Sequence, residues 1–154
     1  MNEHIINILY IDDEIHNLNA FRASFRRLYN VFTAESAEKG IDLLENNDIH
    51  IIITDQRMPK ITGIEFLESI IEKYPEPIRI LLTGFSDINA VIDAINKGQV
   101  YRYISKPWQD EELKINIDKA FEVYTLKKQN KELTEQLRNA NEQLEFLLRQ
   151  KLLS

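Results

Sequence analysis

Three carboxylates, a hydroxyl and an ammonium stand at the ends of short apolar runs in this chain. Ile8 to Ile11 leads into Asp12 and Asp13, and Ile51 to Ile53 leads through Thr54 into Asp55. Ile80 to Leu82 runs into Thr83 and Gly84, and Tyr101 to Ile104 is followed by Ser105, Lys106 and Pro107. If these runs are parallel strands, their C-terminal ends share one rim, where open α/β folds bind ligands. Carboxylates held a few ångström apart repel one another, so one takes a proton or a hard cation neutralises them. Oxygen ligands suit Mg2+, or Mn2+ in its place, and with the hydroxyl and ammonium they make the parts of a divalent-metal and phosphoryl site.

The elements that would position these groups are legible in the apolar spacing. Strand-length runs at Ile5 to Ile11, Asn30 to Ala34, Ile49 to Thr54, Ile78 to Leu82 and Val100 to Ile104 alternate with segments of helical periodicity, the pattern of βα units. Ile15, Leu18, Phe21, Phe25 and Leu28 mark one helix face, and Ala37, Ile41 and Leu44 a second. Gly63 opens a third helix carrying Ile64, Leu67, Ile70 and Ile71. Ser86 or Asp87 caps a fourth with Ile88, Val91, Ile92 and Ile95, and Gly98 closes it in the left-handed conformation. Asp110, Glu111 and Glu112 begin the fifth, where negative charge suits the positive end of the helix dipole.

The fifth helix does not end on schedule. No Gly or Pro occurs from Glu111 to Leu153, and from Thr125 the composition turns to Leu, Glu, Gln, Asn, Lys and Arg, as in coiled coils. With Val123 as a, the d positions are Leu126, Leu133, Ala140 and Leu147, and further a positions are Asn130, Leu137 and Leu144, a spacing kept for about four heptads. Asn130 is costly in an apolar seam unless it pairs with its counterpart across a parallel two-stranded coil. The expectation is a parallel homodimer through 123–151, attached to a domain over 1–124, with 125–154 as coiled coil or linker.

Composition sets outer bounds. A chain of 154 residues, 44% hydrophobic and 29% charged, has room for one globular domain and an appendage. The absence of Cys excludes disulfides, thiolate metal sites and a Cys nucleophile. No apolar stretch has secretory or membrane-spanning length, so the simplest compartment is the cytoplasm. A net charge of -6 argues against direct nucleic-acid binding.

As a constellation, Asp12-Asp13, the segment Thr54 to Pro59 around Asp55, Thr83-Gly84 and Lys106-Pro107 resemble the receiver domain of two-component response regulators. The resemblance implies a doubly wound five-stranded sheet of order 2-1-3-4-5, and a cis peptide before Pro107. It implies that Asp13, Asp55 and the Arg57 main-chain carbonyl hold the metal directly, with Asp12 acting largely through water. Asp55 becomes the nucleophile that accepts a phosphoryl group from a sensor histidine kinase or a small phosphodonor. Lys106 contacts a phosphoryl oxygen, Thr83 donates its hydroxyl to another, and Tyr103 is the aromatic switch, so that the signal reaches the face made by the fourth helix, fifth strand and fifth helix. Compared with other receivers, the bulky pair Arg57 and Phe85 is expected to shield the acyl phosphate from water.

Each piece has a plainer reading alone. Asp12 or Asp13 can cap the first helix, Thr83-Gly84 is a turn, Lys106-Pro107 a restricted loop, and Tyr103 a half-buried strand aromatic. Trp108 anchors the last helix and lies near enough to report on the site. His4, His16 and His50 lack metal-ligand spacing and receive no role. An Asp-based phosphohydrolase of the haloacid-dehalogenase type would place its two aspartates two residues apart after the first strand, whereas Asp12 and Asp13 are adjacent; the expectation is a switch and not an enzyme. The segments Thr54 to Pro59 and Tyr101 to Trp108 also resemble receivers joined to cyclic-di-GMP phosphodiesterases or transcriptional activators, so a downstream effector is a further expected partner.

Overall fold

The computed structural model describes residues 5–153; Met1 to His4 and Ser154 lie outside the described residues, as does the side chain of Phe85. Strands β1 (Asn7–Ile11), β2 (Asn30–Ala34), β3 (Ile51–Asp55), β4 (Ile78–Thr83) and β5 (Arg102–Ser105) alternate with helices α1 (Ile15–Phe25), α2 (Ala37–Asn46), α3 (Gly63–Ile70), α4 (Ile88–Asn96) and α5 (Asp110–Leu153). The strands form one parallel sheet of order β2-β1-β3-β4-β5, as expected.

Side chains alternate across each strand, and this divides the core into two layers. Ile8, Tyr10, Ile51, Ile53, Ile80 and Leu82 pack under α1 and α5 against Phe21, Phe25, Leu113 and Ile117. Leu9, Ile11, Ile52 and Leu81 pack under α2, α3 and α4 against Leu44, Phe66, Leu67 and Val91. Both faces are covered, so the central strands are nearly continuously apolar, with polar residues mainly toward their ends.

The elements differ from the sequence reading at their ends. Ile5 is 65% exposed and precedes β1, and Ile49 is buried but lies before β3. Val100 belongs to the α2–α4 layer as a buried loop residue, with β5 beginning at Arg102. Helix α1 stops at Phe25, leaving Leu28 beyond it and exposed, and Ile15, its first residue, is exposed as well. On α4 the inward residues are Val91 and Ala94, while Ile92 is exposed. Gly98 has a φ of 75° as expected, and its amide donates to the Ile95 carbonyl at 3.0 Å.

Candidate functional site

The register brings the predicted groups to one rim. Ile11 pairs with Thr54, Asp55 with Leu82, and Thr83 with Ser105, so the ends of β1, β3, β4 and β5 are adjacent. Asp12, Asp13 and Asp55 each offer a carboxylate oxygen, all within 4.8 Å of one another. Lys106 places its Nζ 2.6 Å from Asp55 Oδ1 and 4.0 Å from Asp12 Oδ2. Asp12 and Asp55 are buried and Asp13 is exposed, so the cluster opens to solvent on the Asp13 side. Burial pushes the Asp55 carboxyl above the usual carboxylate range; Lys106 opposes that shift, and the charges of Asp12 and Asp13 add to it.

The acidic corner is held by its own loop. Asp12 Oδ1 accepts from the Glu14 amide at 2.9 Å, and Oδ2 accepts from the Tyr10 hydroxyl at 2.8 Å and from Asn17 Nδ2 at 3.0 Å. Neither aspartate caps α1, as the plainer reading had it: the N-cap residue is Glu14, with no side-chain cap hydrogen bond, and Asp12 instead shapes the turn ahead of the helix while facing the cluster. Tyr10, whose phenol is raised far above its ordinary pKa by burial and then by Asp12, stays a neutral donor.

Asp55 is fixed through its neighbours. Gln56, buried, donates its amide to the Leu82 carbonyl at 3.0 Å and accepts from the Gly63 amide at 2.9 Å. Its side-chain Oε1 accepts from the Ile64 amide at 3.0 Å, so one residue ties β3 to both β4 and the start of α3. A Cβ on Gly63 would overlap the Asp55 carbonyl and lie 2.8 Å from Leu81 Cδ1. Only glycine permits so close an approach there. Thr62 caps α3 by accepting from the Glu65 amide.

The remaining predicted residues fall around this centre. Thr83 is buried, and its hydroxyl donates to the Gly84 carbonyl at 3.1 Å. The Lys106 amide donates to the Thr83 carbonyl at 3.0 Å, and the Lys106-Pro107 peptide is cis, as the resemblance implied. Tyr103 is 36% exposed on β5, turned outward. Trp108 packs edge-on against Tyr10 and Phe21 at ring separations of 6.0 and 6.4 Å, one side chain removed from Asp12. His50 serves the fold, its Nδ1 accepting from the Asn7 amide, and His4 lies outside the described residues.

The expected cap of α4 is a correction. Asp87 occupies the N-cap position but makes no side-chain cap hydrogen bond. Its carboxylate is engaged by Arg57 Nε at 3.2 Å, and Arg57 Nη2 donates to Ser86 Oγ at 2.6 Å. The guanidinium from the loop after β3 thus takes both candidate capping groups.

Tyr10, Asn17 and Gln56 are site residues that the sequence did not single out. A signal existed for Tyr10: a hydroxyl inside an apolar central strand needs a partner, and Asp12 two residues on shares its face.

The sequence profile of the response regulator receiver domain matches residues 8–118. Among curated relatives, the chain is 33% identical over 154 residues to the hydrogenase transcriptional regulatory protein HoxA of Cupriavidus necator, covering 100% of this chain and 32% of that protein. The chain spans about a third or less of the length of the curated HoxA relatives it matches. A response regulator receiver domain protein from Clostridium thermocellum is similar at a TM-score of 0.74 and 34% identity, covering 79% of this chain and 98% of that one. A structure described as adenylate cyclase from Rhodopirellula baltica is similar at a TM-score of 0.83 and 28% identity, covering 86% and 98%. With the profile reaching into all five strands and across the acidic rim, the chain belongs to the response regulator receiver domain family.

Proposed function

We propose that the chain is a phosphorylation switch whose acceptor is Asp55, modified by a sensor histidine kinase or a small acyl phosphate. The observation that carries this reading is the 2.6 Å contact of Lys106 with Asp55 inside a triad of carboxylates within 4.8 Å. An Asp55 oxygen attacks phosphorus, the new O–P bond forms as the bond to the donor nitrogen or oxygen breaks, and its electron pair leaves with the donor. Lys106, a compact ammonium on a flexible stem, follows the transferring group. Thr83 turns its hydroxyl from Gly84 to a phosphoryl oxygen, and the space it leaves admits Tyr103, which changes the α4–β5–α5 face.

The donor set fits a hard divalent cation: three carboxylate oxygens converge, with no nitrogen or sulfur ligand among them. Asp13, Asp55 and the Arg57 carbonyl would hold Mg2+ or Mn2+ directly, and Asp12 through water. Such a cation supplies neutralisation of the charge gathered by the acceptor and the incoming group. The expected activity is this self-phosphotransfer and a slow autodephosphorylation, with no turnover of phosphate esters.

The second half of the reading is a parallel dimer through 123–151, with the domain proper at 1–124. Leu126, Leu133, Leu137, Leu144 and Leu147 are each more than half exposed. At about 3.6 residues per turn they lie on the side of α5 opposite Leu113, Ile117, Ala120 and Tyr124, which pack on the sheet. Pairing therefore leaves each receiver on the outside. The 33% identity along the full chain to a transcriptional regulator supports a larger regulator whose coil leads to an output of that kind. Among the described residues, no helix is long and apolar enough to cross a membrane.

Intact mass after incubation with acetyl phosphate and Mg2+ tests the acceptor. The parent gains one phosphoryl group and Asp55→Asn gains none; an adduct that survives the substitution refutes the assignment.

A further inference from the structure

Arg57 stands two residues beyond Asp55 and reaches across to the loop after β4, a separation of thirty residues in the chain to Asp87. Its Nε lies 3.2 Å from Asp87 Oδ2, and its Nη2 lies 2.6 Å from Ser86 Oγ. These are the two side chains at the entrance of α4 that could accept from its unpaired first amides. Neither caps α4: the N-cap residue Asp87 makes no side-chain cap bond, and the helix is entered through a single 3-10 turn, Phe85–Asp87. By contrast, α2 and α3 are each capped by a side-chain oxygen, of Ser36 and Thr62. The α4 entrance has the residue types for a cap and spends them on a guanidinium.

Resting on the acceptor reading above, we propose that Arg57 is a second phosphoryl-binding cation, held in reserve by Ser86 and Asp87, and that phosphorylation of Asp55 exchanges its partners. A phosphoryl group carries nearly two negative charges and three acceptor oxygens, whereas Asp87 offers one charge. A guanidinium binds either by paired N–H donors, so it moves to the more highly charged group when that group appears in its own loop. Asp87, released, turns its carboxylate to the amides of Asn89 and Ala90 and caps α4. The charge added at β3 is thereby read as order in the first turn of α4, along a route separate from Thr83 and Tyr103. No bond is made or broken beyond the phosphotransfer itself.

Amide exchange at Asn89 and Ala90, measured by NMR on the full chain, tests the exchange of partners. In the parent, acetyl phosphate with Mg2+ slows both amides roughly fivefold, the size of an Asp cap. Arg57→Ala shows the slowed rates without any phosphodonor, because Asp87 is free from the outset. Asp87→Ala shows no slowing when phosphorylated. The proposal is overturned if resting Arg57→Ala exchanges at the parent's resting rate, or if phosphorylated Asp87→Ala is slowed as much as the parent. Intact mass on the same samples separates the two readings: a parent without an adduct refutes the acceptor, while an adduct without slowed exchange refutes the Arg57 role alone.

Discussion

Asp55 is a carboxyl group that the protein holds in a place better suited to its neutral form than to its charged one. Its pKa is raised in the folded chain, so over the window between the usual carboxylate value and the raised one the native state binds more protons than the unfolded state. Stability falls as pH rises through that window and the cost is fully present above it. In the absence of divalent cation, Asp55→Asn is therefore more stable than the parent at pH 7, and the gap narrows as pH is lowered toward the usual carboxylate range; urea unfolding at both ends of the window checks the sign. Cation binding should recover what burial costs: at ten times its Kd, Mg2+ adds about 1.4 kcal/mol to the parent, and distinctly less to Asp13→Ala. Thermal unfolding with and without Mg2+ measures it, and Trp108 fluorescence should change over the same titration. The charged members of the site were legible because each follows an apolar run at a strand end. Gln56 was not, since its role depends on which helix its side chain meets. Asn17 was hidden for the same reason: only the turn made by Asp12 and Glu14 brings it back over the strand end.

At the scale of elements, the approach of α3 to β3 is the tightest constraint on the acceptor. Gly63→Ala forces the Asp55 carbonyl, Leu81 or the helix to shift, at a cost of about 1–3 kcal/mol as for other overpacked positions. It should slow phosphorylation by acetyl phosphate as well, because the displaced backbone carries Asp55, the proposed nucleophile. Urea unfolding and the rate of adduct formation give the two readouts; an unchanged rate with lost stability would separate packing from positioning. The strands and helices themselves were readable from periodicity, but their ends were not. Val100 is apolar and follows Gly98, so sequence places it in β5, yet its side chain fills the α4 layer before the strand begins. Likewise Asp87 has the residue type of a cap, and a cation from thirty residues away in sequence outcompetes the helix amides for it.

For the whole molecule, the proposed dimer rests on the exposed leucines of α5. Leu133→Asp or Leu137→Asp should convert a dimer to a monomer in light scattering while leaving the receiver's unfolding transition in place, since neither side chain touches the described core. Asn130→Leu should strengthen pairing but loosen its register, seen as species larger than a dimer.

Helix α5 runs from Asp110, beside the Lys106 loop, to Leu153 without interruption. The portion beyond Tyr124 is about 45 Å long at 1.5 Å per residue. A tilt of about 5° at its root would carry the far tip sideways by about 4 Å on that geometry. An unbroken rod thus acts as a lever that magnifies motions too small to notice at the acidic rim.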